Sequence, residues 1–337
     1  MGGTSFDYTN YHATAAAATS PSGQVQFAAP APSLDPLVDP LRKNKAGIII
    51  RESLDSPGTP ESKGLVWQLD VTGSMSHLPG IIIKNLGTMM TLFKAKNVLP
   101  GVHIMSMTSA DSYGDRHPVQ ATCFESGNEI ENALLKFQLG GGGGGPGSVW
   151  SHETYGLAML FAAHYAKMDC LEKRGEKGYY FIIGDERAYD TIQASHAKQY
   201  LDIDLESDIS FDDVLAKLRE KFEVYWLYPI QADYYRIDPS IHQHWKQVFG
   251  ANYIEVEQAD TMASTMVALV AAREGMAEDD VNSALKDAGV ADTQIAQVSK
   301  SLTVYRKNTG GLTKTTVSDE AGLLEVSPAD AEGVGAL

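Results

Sequence analysis

Asp70, Thr72 and Ser74 alternate along Asp70-Val71-Thr72-Gly73-Ser74-Met75, directly after an apolar run at 65–69. The run reads as a strand, so a carboxylate and two hydroxyls stand at a strand's C-terminal end, where open α/β sheets build their sites. Oxygens at the first, third and fifth positions of a turning segment can converge on a hard cation such as Mg²⁺ and leave other coordination positions to water or a ligand. Alone, the same residues would equally start a turn and cap a helix. The metal reading therefore depends on what else the chain supplies.

Two further segments supply it. Six glycines at 140–145 are followed by Pro146-Gly147-Ser148-Val149-Trp150-Ser151-His152-Glu153-Thr154 and a helical pattern. A flexible linker is the plain reading of polyglycine, but inside an α/β domain glycines also let backbone approach a ligand closely. Gly184-Asp185-Glu186 ends a second apolar run, again with a carboxylate at a strand's end. Buried carboxylates are costly unless paired or metal-bound, so two of them beside hydroxyls make mutual sense around a divalent ion. Ordinary turn chemistry explains Asp111-Ser112-Tyr113-Gly114-Asp115 as well as a place beside an ion does, and the segment is not counted among the ligands. Trp226, Tyr228, Tyr234 and Tyr235 read as core and loop packing, and His242 and His244, two apart, would diverge on a helix.

Strand, Asp70-x-Thr72-x-Ser74-Met75, helix resembles the metal-ion-dependent adhesion site of a von Willebrand factor A domain, over roughly residues 64–274. The chain is also similar to a bacterial and phage subgroup of these proteins in Arg51 to Ser56, in Pro118-Val119-Gln120, in the glycine run and in the Gly-Asp-Glu loop. The resemblance implies Thr154 as the second-loop ligand and Asp185 as the third-loop ligand, joining Asp70, Thr72 and Ser74, with Glu153 as a further candidate, direct or through water. It implies Mg²⁺, or Mn²⁺ or Ca²⁺ in its place. It also implies a protein partner whose exposed Asp or Glu completes the metal's shell, in the way bacterial members serve AAA+ ATPases or assemblies.

Continuous apolar runs at 65–69, 102–107, 179–183 and 224–228 predict strands covered on both faces. Shorter ones are expected at 119–124, on an edge, and at 253–256. Helical patterns fill the gaps at 80–96, 128–137, 152–167, 211–222, 241–249 and 261–273. The alternation predicts an α/β class: a doubly wound, mostly parallel sheet flanked by helices, Rossmann-like in its von Willebrand A form. The expected organisation is an extended Ala/Pro/Ser-rich arm at 1–62 with islands at Phe6, Tyr8 and Tyr11 and at 47–50, docked on its own domain. The von Willebrand A domain follows at 63–274, then a short helical extension at 275–312 and a disordered acidic tail at 313–337.

In 337 residues with 43% apolar content there is ample material for a core. A formal net charge of −16 argues against nucleic acid and against an anionic membrane as partners. Cys123 and Cys170 form no CxxC pair, so a reducing cytoplasm is the expected compartment, and no apolar stretch suits a membrane helix.

The expected function is a non-enzymatic, divalent-metal-dependent binding module. One alternative is a haloacid-dehalogenase-like Mg²⁺-dependent phosphotransferase with Asp70 as nucleophile, because Asp70-Val71-Thr72-Gly73-Ser74 also resembles the Asp-Lys-Thr-Gly-Thr of P-type ATPases. Position 71 lacks that Lys, however, and position 72 lacks a second Asp as general acid. The other alternative is a virion-associated scaffold laced together by its arm.

Overall fold

The computed structural model describes residues 6–22, 24–141 and 145–309. Six strands form the central sheet: β1 (Lys63–Asp70), β2 (Val102–Ser109), β3 (Val119–Ala121), β4 (Gly178–Ile183), β5 (Phe222–Pro229) and β6 (Tyr253–Val256). Their spatial order is β6-β5-β4-β1-β2-β3, parallel throughout except for β3, which runs antiparallel to β2 at one edge. The chain works outward from β1 on one side, then returns to β4 on the other. The reversal opens a crevice between the C-terminal ends of β1 and β4, the point at which such sheets receive ligands. Leu69 is level with Ile183 across this pair, so Asp70 and the Gly184-Asp185-Glu186 loop leave the sheet side by side.

The central strands are buried along their lengths, which explains their unbroken apolar runs. Twelve helices are described: α1 (Tyr8–Ala17), α2 (Leu78–Met90), α3 (Glu129–Leu134), α4 (Tyr155–Tyr165), α5 (Asp169–Arg174), α6 (Ala194–Leu201), α7 (Phe211–Lys221), α8 (Asp233–Ile237), α9 (Pro239–Phe249), α10 (Met262–Arg273), α11 (Glu278–Asp287) and α12 (Asp292–Thr309). Leu65, Trp67, Leu69, Phe181 and Leu227 face one apolar cluster with α2, α10, α11 and α12. Val66, Met105, Tyr180, Ile182 and Trp226 face the other, with α4, α7 and α9. Alternate side chains thus enter opposite cores. Among the described residues no helix is long and apolar enough to cross a membrane.

The arm is not extended throughout. Tyr8–Ala17 is helical because Asp7 accepts the amides of Thr9 and Asn10 at the N-terminus and the following alanines favour helix. Tyr11 then drives into α2: its hydroxyl donates to Ile83 O at 2.8 Å, and its ring packs so closely on Gly87 that a Cβ there would lie 2.5 Å away.

Further along the arm, Arg51 is 1% exposed, and its guanidinium donates to the carbonyls of Thr122, Arg42, Ile50, Asp39 and Pro40. Arg51–Ser53 pairs in parallel with Ala166–Met168, so the arm is laced to its own domain. At the other end, α12 buries Val298, Leu302 and Tyr305 in the first cluster although its amphipathic pattern is weak. The proposed tail at 313–337 lies outside the described residues.

Candidate metal centre

Asp70 is the last residue of β1 and is fully buried. Its Oδ1 accepts the amide of Thr72 at 2.9 Å and the Thr72 hydroxyl at 2.7 Å, and its Oδ2 accepts the Tyr155 hydroxyl at 2.6 Å. The chain then turns through Gly73, whose φ of +41° suits a residue without Cβ, into a short 3₁₀ turn, Gly73–His77. The side chain of Ser74 lies outside the described residues.

Tyr155, the first residue of α4, joins the first loop to the third. Its ring is fully buried edge-on to Trp226, with centroids 5.0 Å apart, and it lies so close to Gly184 that a Cβ there would meet the hydroxyl at 2.3 Å. The third loop is fixed by its backbone. The indole of Trp226 donates to Gly184 O at 3.1 Å, the Tyr228 hydroxyl to Asp185 O at 2.8 Å and the indole of Trp245 to Glu186 O at 2.8 Å. Asp185 itself is 1% exposed. A two-residue parallel ladder, His152–Glu153 with Arg187–Ala188, brings the second loop against the third and sets Glu153 level with Ala188, two residues past Glu186.

Thr154 holds the second loop to the β2–β3 loop. Its hydroxyl donates to Ala110 O at 2.9 Å and accepts the Ser112 amide at 2.6 Å, which leaves it one lone pair for any further partner. Asp111, read from sequence as a turn residue, does bond the Tyr113 amide. Its other oxygen accepts the hydroxyls of Ser148 and Tyr189, and the residue is fully buried on the wall of the cleft.

Together the loops enclose a cleft of about 600 Å³. Thr72, Asp111, Glu153 and Glu186 line it, with Asp233 and Tyr234 from α8 above them. Asp70, Thr154 and Asp185 lie behind this lining. Among the described residues the lining holds four carboxylates and no Lys or Arg. Burial raises the Asp70 carboxyl to about 6, against smaller downward pulls from Tyr155 and Thr72. Burial, then the charge of Asp70, pushes Glu153 well above the ordinary carboxylate range, and Glu186 is raised to about 8, first by burial and then by Asp70.

Glu153 is 3% exposed, and its Oε2 has no hydrogen-bond partner. Among the described residues no three His, Cys, Asp or Glu side chains form a ready metal cage. The oxygen donors here are a mixture of carboxylates and hydroxyls, the chemistry hard cations take. Glu153 Oε2, unpartnered among carboxylates with no facing cation, fits a divalent ion.

Sequence reasoning missed Tyr155 and the cleft-facing roles of Trp150, Tyr234 and Ile237, and left Asp111 open between a turn and a place beside the site. A tyrosine one residue past the second-loop threonine was the only signal for Tyr155, and it carries no spacing rule. Tyr234, expected as packing, stands edge-on to Trp150 at the mouth of the cleft, with centroids 5.4 Å apart.

No family model matches the chain, and no curated protein matches it in sequence. Among solved structures it is similar to the pilus adhesin SpaC from Lactobacillus rhamnosus GG. The open conformation aligns with a TM-score of 0.43 at 11% identity, over 66% of this chain and 31% of that one. A second structure of the same adhesin aligns at 0.40 and 14% identity, over 71% and 32%. The chain thus spans about a third of the adhesin's length.

Proposed function

We propose that this chain is a von Willebrand A-type module that binds a protein partner through a divalent cation, Mg²⁺ or in its place Mn²⁺ or Ca²⁺. The observation that carries the reading is Glu153 Oε2, buried and unpartnered in an acidic cleft at the crevice between β1 and β4. Three carboxyls are held toward protonation chiefly by burial, and a bound cation would favour their charged forms.

Asp70, Thr72, Ser74 and Asp185 would hold the ion, with Glu153 closing one side and Thr154 bracing the second loop. The bound cation would supply an electrophilic centre whose shell a partner's Asp or Glu completes. Tyr155 fixes one oxygen of Asp70, and Thr72 fixes the other, so the floor is preorganised. An assembly subunit or an AAA+ ATPase is the expected kind of partner. The phosphotransfer alternative lacks the Lys at position 71 and the second Asp at position 72 that its motifs call for. The arm packs on its own domain, which gives the lacing scaffold none.

Two measurements test the proposal. Calorimetric titration with Mg²⁺ should show binding to the wild type and none to Asp70→Ala. Affinity capture from the native lysate should then yield a partner that is lost both in EDTA and with Asp70→Ala; a partner retained under both conditions would overturn the reading.

A further inference from the structure

The two most exposed large apolar side chains among the described residues, Trp150 at 74% and Ile237 at 61%, line the same cleft as the acidic floor, and Val149 at 48% joins them. Solitary exposed apolar residues need no explanation, but three around one acidic cleft do. Trp150 is held by its edge-on contact with Tyr234, and Tyr234 and Ile237 both belong to α8. The Val149 amide donates to the Tyr189 hydroxyl at 3.0 Å, and that hydroxyl bonds Asp111. The apolar rim is therefore tied to the same loops that carry the floor. A cleft of about 600 Å³ is also larger than one carboxylate needs, and clefts of this size take several groups at once.

We infer that the rim reads a bulky apolar side chain adjacent to the partner's acidic residue. The occupant is an extended segment of a partner protein in which Asp or Glu reaches the floor and a neighbouring Phe, Leu or Ile packs between Trp150 and Ile237. This rests on the metal reading, since among the described residues the lining of Asp111, Glu153, Glu186 and Asp233 carries no Lys or Arg, and a bound cation is what would attract a partner's carboxylate there. Charge then gates the site, and the apolar rim selects among acidic segments. Aromatic anchors in such positions commonly dominate binding energy.

Trp150 also provides the readout, because Trp67, Trp226 and Trp245 are fully buried. Acrylamide quenching of tryptophan fluorescence would be followed on the full chain with end-blocked pentapeptides: Gly-Phe-Asp-Gly-Gly, Gly-Ser-Asp-Gly-Gly, Gly-Phe-Asn-Gly-Gly and Gly-Phe-Lys-Gly-Gly, each in Mg²⁺ and in EDTA. The Phe-Asp peptide should protect Trp150 in Mg²⁺ at a concentration at least about tenfold lower than the Ser-Asp peptide. The Phe-Asn peptide, and every peptide in EDTA, should protect far less. Ile237→Ser should erase the preference for Phe while leaving calorimetric Mg²⁺ binding unchanged.

Equal protection by Phe-Asp and Ser-Asp in Mg²⁺ would overturn the rim's role and leave the metal reading standing. Strongest protection by the Phe-Lys peptide in EDTA would overturn the inference in favour of a basic partner. Absence of Mg²⁺ binding by calorimetry would identify the metal reading, and not the rim, as the failure.

Discussion

Replacing Asp70 by Asn removes the cost of holding a charge behind the cleft's lining, and with it the upward push that this charge exerts on Glu153 and Glu186. Burial lifts this carboxyl from 3.8 to about 6, with smaller contributions from Tyr155, Thr72 and Asp115. At about 1.4 kcal/mol per unit, ionising it costs about 3 kcal/mol more in the folded chain than in the unfolded one. Because the folded chain holds the proton longer, the penalty is absent below about pH 4, grows as pH rises, and is complete once pH has passed the folded value of about 6. Asn carries no such penalty.

Urea denaturation in EDTA at a series of pH values should therefore show the stability difference between the two chains swinging by at least about 3 kcal/mol in favour of Asp70→Asn between about pH 4 and pH 7, because the variant also relieves Glu153 and Glu186. The hydrogen bonds that Asn cannot accept displace the whole curve without tilting it. His103, lowered to about 4 by burial, titrates in the same window with the opposite slope, but it does so in both chains and cancels. In Mg²⁺ at about a hundred times its dissociation constant the wild type should regain about 2.7 kcal/mol, and the variant little. A stability difference that stays flat with pH in EDTA refutes the buried-charge argument; an unchanged swing in saturating Mg²⁺ refutes the involvement of Asp70 with the ion.

Tyr155→Phe removes the 2.6 Å hydrogen bond to Asp70 and should cost about 1.5–3 kcal/mol above pH 6, less below it, with weaker Mg²⁺ binding by calorimetry. Gly184→Ala sets a Cβ 2.3 Å from the Tyr155 hydroxyl and should lower stability by about 1–3 kcal/mol in thermal or urea unfolding, again with loss of Mg²⁺ affinity. Arg51→Met leaves five carbonyls without their donor; it should destabilise the chain by about 3 kcal/mol or more and speed tryptic cleavage at Arg42 and Lys43, with Mg²⁺ binding unchanged. Equal cleavage rates in wild type and variant would show that Arg51 does not hold the arm.

The sheet was legible because its strands are buried on both faces: Val102–Ser109 and Gly178–Ile183 leave runs that no amphipathic helix would. The burial of Asp70 and Asp185 at the ends of their strands was legible because each closely follows an apolar run. Tyr8–Ala17 was hidden among residues that also suit an extended arm, and its deciding contact, Tyr11 on Gly87, spans 76 positions. The burial of α12 was hidden for the same reason, since its apolar side chains are placed by α10 and β6 more than by its own periodicity. The resemblance implies Thr154 as a ligand, but what its hydroxyl bonds is set by Ala110 and Ser112, more than forty positions earlier.

By itself the sequence determined which residue types could bind a cation and that each stands at a strand or loop end, because strand period and turn chemistry act over a few neighbouring residues. Only the tertiary structure decided that Asp111, Glu153 and Glu186 share one cleft with Thr72, that Tyr155 reaches Asp70, and that Trp150 and Ile237 form its rim. Strand order brings those loops together, and burial and Coulomb repulsion, which set the protonation of each carboxyl, depend on neighbours the chain supplies from far away.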